Sequence, residues 1–346
     1  MKITLIRFKQ TPFGGAERYM DRLKKTLESM GYETQIVSSS LPKFLPSWIR
    51  VLTFAYSSCK NKDSFYFSLD RIVCPDIYRA GDGVHKAFLK TKGFSLNPLH
   101  IVLLYLENRC FKNAKVIIAN SKMIKREIIE YYNINPNKIK VIYNGIPLPS
   151  KPLNKRISKE NLYKEFNIHK DKNMLLFVGS GFDRKGVKEF LEIVSKLNSN
   201  IIAFIVGKDK KLSKYKNIAK KLGIENRVIF TGPQKDVDRF YKASDIFLFP
   251  THYEPFSNVI LEAMSYGCVP ITTKTNGASE ILPKESIMSS HKDIQKATSY
   301  IDNLLLNKKY LENTSKNIIN IVSNLTIQKN AENTIEIIKQ VSQLKN

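Results

Sequence analysis

Acidic residues are scarce in this chain: 31 Asp+Glu stand against 56 Lys+Arg over 346 residues, a formal net charge of +25. Long apolar runs are missing too. None approaches the roughly 20 residues needed to cross a bilayer. The apolar patch near the start, in "MKITLIRFKQTPFGG", is broken by Arg7 and is too short for a secretory signal core. The chain is therefore expected to be cytoplasmic. Its four cysteines, Cys59, Cys74, Cys110 and Cys268, are far apart and form no C-x-x-C pair. That excludes a zinc-finger pattern and reads as four reduced thiols. The five histidines, residues 85, 100, 169, 252 and 291, show no ligand spacing, so no metal site is expected.

What is present suits a soluble α/β protein of two domains: 42% hydrophobic, 25% charged, and too long for one typical domain. Residues 1–150 hold 24 Lys+Arg against 11 Asp+Glu, and the remaining 196 hold 32 against 20, so positive charge is denser in the first part. An AT-rich gene favouring Lys, Asn and Ile codons is one source of that charge. An anionic partner is the other: nucleic acid, an anionic membrane or a phosphorylated substrate. No zinc finger, RRM signature or other nucleic-acid module is present.

Apolar runs of strand length fall at 2–6, 34–38, 115–119, 139–143, 174–179, 201–206, 227–230, 245–250 and 268–273, with amphipathic stretches such as 16–31 and 214–223 between them. That alternation means βαβ units and parallel sheets. It pauses at 144–166, where three prolines and a charged run mark a linker. Two doubly wound Rossmann-like domains follow, at 1–150 and 151–325, with ligands at the carboxyl ends of the strands and in the cleft where the domains face. A terminal helix over 326–346 is expected to cross back to the first domain.

Four strand-end loops carry chemistry. "TPFGGAERY" (11–19) places Gly14 and Gly15 at a turn opening a helix, where N–H groups attract phosphate. "VGSGFDRKGV" (178–187) starts like a dinucleotide fingerprint but has Arg184 at the sixth position of G-x-G-x-x-G, so the fingerprint fails. Arg184 and Lys185 instead read as a clamp on a diphosphate, or as a solvated surface pair. "VGKDKKLSKY" (206–215), with Gly207 and Lys208, edges the same pocket. "THYEPFSNVILEAMSYG" (251–267) carries two carboxylates, Glu254 and Glu262, the second inside an apolar run where an unpaired charge is costly. Ser257 reads as the N-cap of that helix, leaving the N–H groups of Asn258 and Val259 for an anion.

The run from Gly179 to Glu280 resembles the donor domain of retaining GT-B glycosyltransferases of family 4, through the pair Glu254 and Glu262 separated by seven residues. The segments "GGAERY", "IIANSK", "VIYNGI", "RKG", "VGKDK", "RVIFTG", "ASDIFLFP" and "EAMSYGCVPI" match in the family's order over nearly the whole chain. Within the family, "GSGFDRKG", "VGKDK" and "DIYRAGDGVHKAFL" are most similar to the bacterial lipopolysaccharide core glucosyltransferases.

The resemblance implies a fold and a set of roles. The fold is GT-B. Glu262 holds the ribose hydroxyls and Glu254 the donor sugar. Arg184 and Lys185 neutralise the diphosphate, and the N–H groups at Phe256, Ser257, Asn258 and Val259 line sugar and phosphates. Gly15 brings backbone to the diphosphate from the other domain. The cosubstrate implied is a nucleotide sugar, best guess UDP-glucose, with UDP-GlcNAc, UDP-galactose and GDP-mannose as alternatives. No metal cofactor is implied. The leaving phosphate takes the acceptor's proton, so no dedicated base is assigned.

Two departures stand out. Ser180 replaces an arginine common in the family, for which Arg184 substitutes, and Ser257 replaces a glycine beside the sugar.

The acceptor, a saccharide or lipid-linked glycan, falls to the N-terminal domain. There Asp82 or His85 lies beside the reacting centre; otherwise Asp82 caps a helix and His85 is a surface residue. "DVD" at Asp236–Asp238 imitates a metal motif of another glycosyltransferase fold, but Asp236 reads as a helix cap. Two basic stretches with aromatics, 84–115 and 41–62 around Trp48, suit an anionic membrane surface, or else ordinary packed helices. The location implied is the cytoplasmic face of the inner membrane. The rival classes are a nucleic-acid-binding protein, a sugar-phosphate enzyme such as a phosphorylase, and a non-catalytic nucleotide-sugar binder.

Overall fold

Twelve strands and thirteen α-helices are described in the computed structural model, which covers residues 2–9, 15–59, 64–92, 95–150, 154–169 and 171–343. The chain divides into two units, residues 1–145 with 327–346 and residues 146–326. The first unit runs β1 (Lys2–Ile6), α1 (Gly15–Ser29), β2 (Glu33–Val37), α2 (Ser47–Ser57), β3 (Phe65–Ser68), β4 (Ile77–Ala80), α3 (His85–Lys92), α4 (Pro98–Asn113), β5 (Val116–Ala119), α5 (Lys122–Tyr132) and β6 (Ile139–Val141). The second runs α6 (Lys155–Glu165), β7 (Asn173–Val178), α7 (Val187–Lys196), β8 (Ile201–Val206), α8 (Leu212–Lys221), β9 (Val228–Gly232), α9 (Asp238–Ala243), β10 (Ile246–Phe249), α10 (Asn258–Ser265), β11 (Val269–Thr273), β12 (Ile287–Met288), α11 (Ile294–Leu306) and α12 (Lys308–Ser323). Then α13 (Ile327–Gln343) returns to the first unit.

Each unit holds one all-parallel six-stranded sheet, in the orders β2-β1-β3-β4-β5-β6 and β12-β11-β10-β7-β8-β9. Runs such as "IIAFIV" in β8 are apolar at nearly every residue because helices cover both faces of such a sheet, and all six residues are buried. The strand order reverses between β1 and β3 in one unit and between β7 and β10 in the other. At these switch points the carboxyl ends of adjacent strands open a crevice. In the second unit, the loops after β7 and β10 are the two that carry Arg184, Lys185, Glu254 and Ser257.

The first core gathers Ile3, Leu5, Met20, Leu23, Leu27, Phe67 and Ile118, with Ile335, Ile338 and Val341 from α13. Asn330 Nδ2 also ties α13 to the carbonyl of Tyr143 at 2.5 Å. The second core is aromatic around Phe177, whose ring lies 6.0 Å from Phe182, 5.9 Å from Phe190 and 5.4 Å from Phe249.

Several expectations are corrected. Cys59 and Cys74 form a disulfide, with Cα atoms 5.9 Å apart. The fold makes that pair: Cys59 follows α2, Cys74 lies between β3 and β4, and both pack on the small cluster of Ile6, Phe54, Tyr66 and Ile72. Cys110 and Cys268 are buried thiols. The charged half of the stretch read as a linker is helix α6, capped by Asn154 Oδ1 accepting from Ile157 N–H, with Leu162 and Tyr163 buried. Asp236 caps nothing: α9 begins at Asp238 after Val237, and Asp238 accepts from the Tyr266 hydroxyl at 2.8 Å.

Candidate functional site

The loop after β7 is held by its own sequence. Phe182, 1% exposed, is driven into the core between Phe177 and Tyr215. Burying such a ring contributes about 1.5–3 kcal/mol. The Phe182 N–H donates to Asp209 Oδ2 at 2.7 Å, and Lys208 N–H to Ser180 Oγ at 3.3 Å, so this loop and the one after β8 are tied together. Gly186 ends the loop with φ +78°, and a Cβ there would stand 2.0 Å from the Pro250 carbonyl oxygen. Only glycine allows that approach, which sets the 182–186 loop directly on the β10 exit.

Arg184 and Lys185 are thereby aimed at Glu254. Arg184 Nη1 donates to Glu254 Oε2 and to the Tyr253 carbonyl, both at 2.7 Å. Its own carbonyl accepts from His252 N–H at 2.9 Å and Thr251 Oγ1 at 3.1 Å. Lys185 lies across Gly179, where a side chain would meet its Cδ at 2.9 Å. Its Nζ is 4.0 Å from Glu254 Oε2 and 5.3 Å from the Phe249 ring centre. Burial pulls the Lys185 ammonium below the usual lysine range, against the pull of Glu254 and with the help of Arg184. The three charges form a two-cation, one-anion cluster at the switch-point crevice, with net positive charge.

Asn276, fully buried, fixes the other side and was not singled out in the sequence. Its Oδ1 accepts from Ser257 N–H (3.3 Å) and Ala278 N–H (3.1 Å), while Nδ2 donates to Thr272 Oγ1 at 3.1 Å. Glu254 backbone groups bond Thr275 O and Gly277 N on the same segment. Ser257 is the N-cap of α10, as its position suggested, but its hydroxyl makes no capping bond. Of the four N–H groups expected to face a ligand, that of Ser257 is therefore taken by Asn276. Phe256 and Ser257 are buried, and Asn258 and Val259 half-buried. Glu262, one turn into α10, is half-buried and accepts from the Tyr241 hydroxyl at 3.1 Å. Burial and that carboxylate together push the Tyr241 hydroxyl well above the usual phenol range.

The second and third loops enclose an open hollow of about 640 Å³ lined by Ser180, Gly181, Asp183, Lys208, Asp209 and Tyr215 among others. Gly207, φ +142°, packs on the Gly179 carbonyl and floors this corner. Lys208 is exposed.

In the first unit, Gly14 lies outside the described residues and Gly15 opens α1. Asp82 follows β4 and is exposed, its carboxylate 3.3 Å from Arg7 Nη1, which also reaches Asp70 at 3.4 Å. His85 begins α3, half-buried rather than a surface residue, with Nε2 3.0 Å from His100 Nδ1.

The start of α3 is set by Glu107, the one acidic residue of the 84–115 stretch, which is fully buried. It accepts from His85 N–H (2.8 Å), Arg71 Nε (2.9 Å) and Tyr132 Oη (2.6 Å), and Arg71 Nη2 donates to Gly83 O at 3.0 Å. A lone Glu in a basic, apolar segment was the available signal for this network.

Residues 158–321 match the family Glycosyl transferases group 1, and residues 79–149 match Glycosyltransferase Family 4. The lipopolysaccharide glucosyltransferase WaaG of Escherichia coli (strain K12) is 27% identical over 307 residues, 80% of this chain and 81% of that protein. Further curated relatives align over about half of their own length. The fold is shared with a crystal structure of WaaG, described as a glycosyltransferase involved in lipopolysaccharide biosynthesis (TM-score 0.79, 20% identity, 97% of this chain and 99% of that one). It is shared as well with Anabaena HepE in complex with UDP and glucose (TM-score 0.75, 18% identity, 98% of this chain and 100% of that one).

Proposed function

We propose, for a chain that is a glycosyltransferase carrying the group 1 and family 4 domains on the GT-B fold, that it moves a hexose from a UDP-sugar to a saccharide. Glucose is the preferred sugar, and a lipopolysaccharide core or related glycan the acceptor. The observation that carries this reading is the Arg184–Lys185–Glu254 cluster at the carboxyl ends of β7 and β10, with Glu262 one turn into the following helix. A diphosphate laid on Arg184 and Lys185 places a ribose diol near Glu262 and the sugar near Glu254. The complex of HepE with UDP and glucose and the name of the Escherichia coli relative support the choice of donor.

The chemistry follows from the charges. The bond from the anomeric carbon to the β-phosphate oxygen breaks, and its electron pair leaves with UDP. Lys185 and Arg184 face that growing negative charge, which is greater in the transition state than in the bound donor. The acceptor hydroxyl attacks on the same face, and its proton passes to the departing phosphate, so configuration is retained. The two cations do the neutralising that a metal does elsewhere, and transfer proceeds without a divalent ion at the diphosphate. Asp82 or His85 meets the acceptor. A screen of UDP-glucose, UDP-galactose, UDP-GlcNAc and GDP-mannose, followed by UDP or GDP release, tests the donor. Turnover of UDP-glucose is expected, and release from GDP-mannose alone overturns the choice of nucleotide.

The acceptor class asks for a membrane surface, and the first unit offers one. Phe44, Leu96 and Ile101 are 84%, 84% and 71% exposed. They sit on or beside α2 and α4, which pack together through a Tyr56–Tyr105 hydroxyl contact at 2.7 Å. Lys43 next to Phe44 is exposed, as are Arg109 and Lys112 farther along α4. Exposed rings among cations insert at an anionic interface. Among the described residues no helix is long and apolar enough to cross a membrane, so the contact proposed is peripheral, on the cytoplasmic face. Flotation with anionic vesicles at low salt is expected, and absence of binding there rules the docking out.

A further inference from the structure

Beside the Arg184 loop, three side chains with metal-binding atoms converge. Glu189 stands in the first turn of α7, His252 follows β10 two residues before Glu254, and His291 lies between β12 and α11. Their ligand atoms lie within 4.8 Å of one another. His252 Nε2 is 3.0 Å from Glu189 Oε1, and the two imidazole centres are 4.0 Å apart. Glu189 is buried and both histidines are half-buried, so the group opens to solvent on one side. The fold brings these residues together from one helix and two loops, which is why histidine spacing along the sequence does not reveal them.

The donor set is chemically selective. Two ligands of one tetrahedral zinc, each about 2.0–2.1 Å from the ion, stand about 3.3 Å apart. His252 Nε2 and Glu189 Oε1 already stand at 3.0 Å, and binding has to draw the remaining atoms in from within 4.8 Å. Two imidazoles with one carboxylate suit a borderline transition ion, whereas hard magnesium and calcium take oxygen shells.

We propose that Glu189, His252 and His291 bind one zinc-class divalent cation, with water in the fourth position. The ion ties the start of α7, the β10 exit and the β12–α11 connection into one unit. Because His252 N–H also donates to the Arg184 carbonyl, it braces the loop that presents Arg184 and Lys185 without touching the diphosphate. The proposal stands on this geometry and is independent of the donor reading. Lys292, next to His291 in sequence, opposes a positive ion there and weakens its binding.

The test uses the full chain without an affinity tag, stripped with a chelator and titrated with Zn²⁺ by calorimetry and with Co²⁺ by visible absorption. One ion per chain is expected, with a cobalt d–d band and a melting temperature that rises with Zn²⁺. His291→Ala and Glu189→Gln are each expected to weaken zinc by more than about 100-fold, since loss of even an outer-shell partner costs 10–100-fold. Melting of the metal-free variants checks that they fold. No binding to folded wild-type protein overturns the proposal. So does zinc binding unchanged in both variants, which would assign the ion to another pair such as His85 and His100, 3.0 Å apart.

Discussion

Replacing Lys185 by alanine removes one cation from a site that its surroundings have shaped for it. The ammonium is held across Gly179, beside the Phe249 ring, and its side chain is 17% exposed. A unit charge about 4 Å away at an effective dielectric near 20 interacts by roughly 4 kcal/mol. Removal of a single transition-state donor costs about 2.7–4 kcal/mol. At 1.36 kcal/mol per tenfold, kcat is expected to fall by about 10²–10³. The fall belongs mainly to kcat, because the charge on the leaving diphosphate grows during transfer. The fold is expected to survive, because Arg184 still pairs with Glu254 at 2.7 Å. Initial rates of UDP release at saturating donor, with a thermal melt as control, measure both quantities. A folded Lys185→Ala chain with kcat within about threefold of wild type refutes the role of Lys185.

Three further outcomes follow from the same contacts. Gly186→Ala meets a positive φ and the Pro250 carbonyl at 2.0 Å; the left-handed backbone conformation alone costs about 1–2 kcal/mol, the clash adds to it, and a lowered urea midpoint checks it. Glu107→Ala leaves the buried Arg71 without its carboxylate, and about 3–5 kcal/mol of stability is expected to be lost in urea denaturation. The Lys185 pKa is lowered in the fold, so UDP affinity, read by calorimetry across alkaline pH, is expected to decline below the range where an ordinary lysine, about 10.4, titrates. The stability effect has the opposite sign: between the folded value and the unfolded one the unfolded chain holds more protons, so this group's contribution to stability rises with pH.

Much of the scaffold was legible because burial on both faces writes strands as unbroken apolar runs. β1, β5, β7, β8, β10 and β11 all appear that way. β3 ("FYFS") and β4 ("IYRA") did not, because each is only four residues long, β3 ending at Ser68 and β4 broken by Arg79. Arg79 in β4 is nevertheless buried, its guanidinium 3.8 Å over the Tyr19 ring and bonded to Asn144. Tertiary partners that make a buried arginine tolerable leave no local trace. The same holds at the site. Glu254, Glu262 and Lys185 stand out as charges in loops and apolar runs, whereas Asn276 and Glu107 act through bonds to segments distant in sequence. The cysteine pair was missed for a related reason, since only the packing of α2 against the β3–β4 connection brings Cys59 to Cys74. The apolar run around Glu262 suggested a ligand as the partner of its carboxylate, and the protein itself supplies one in Tyr241.

That hydroxyl decides how the donor site is best probed. Glu262→Ala orphans a buried phenol at a cost of about 1–3 kcal/mol, whereas Glu262→Gln keeps an acceptor for Tyr241 and removes only the charge. Calorimetric titration of UDP into wild type and Glu262→Gln, with and without Mg²⁺, is the most direct measurement. Binding that is indifferent to Mg²⁺ and weakened about 10–100-fold in the variant is expected, the loss of a charge-assisted hydrogen bond worth about 1.5–3 kcal/mol. UDP binding of equal strength in both proteins contradicts the placement of the ribose on Glu262, and no UDP binding to the wild type contradicts the nucleotide-sugar site altogether.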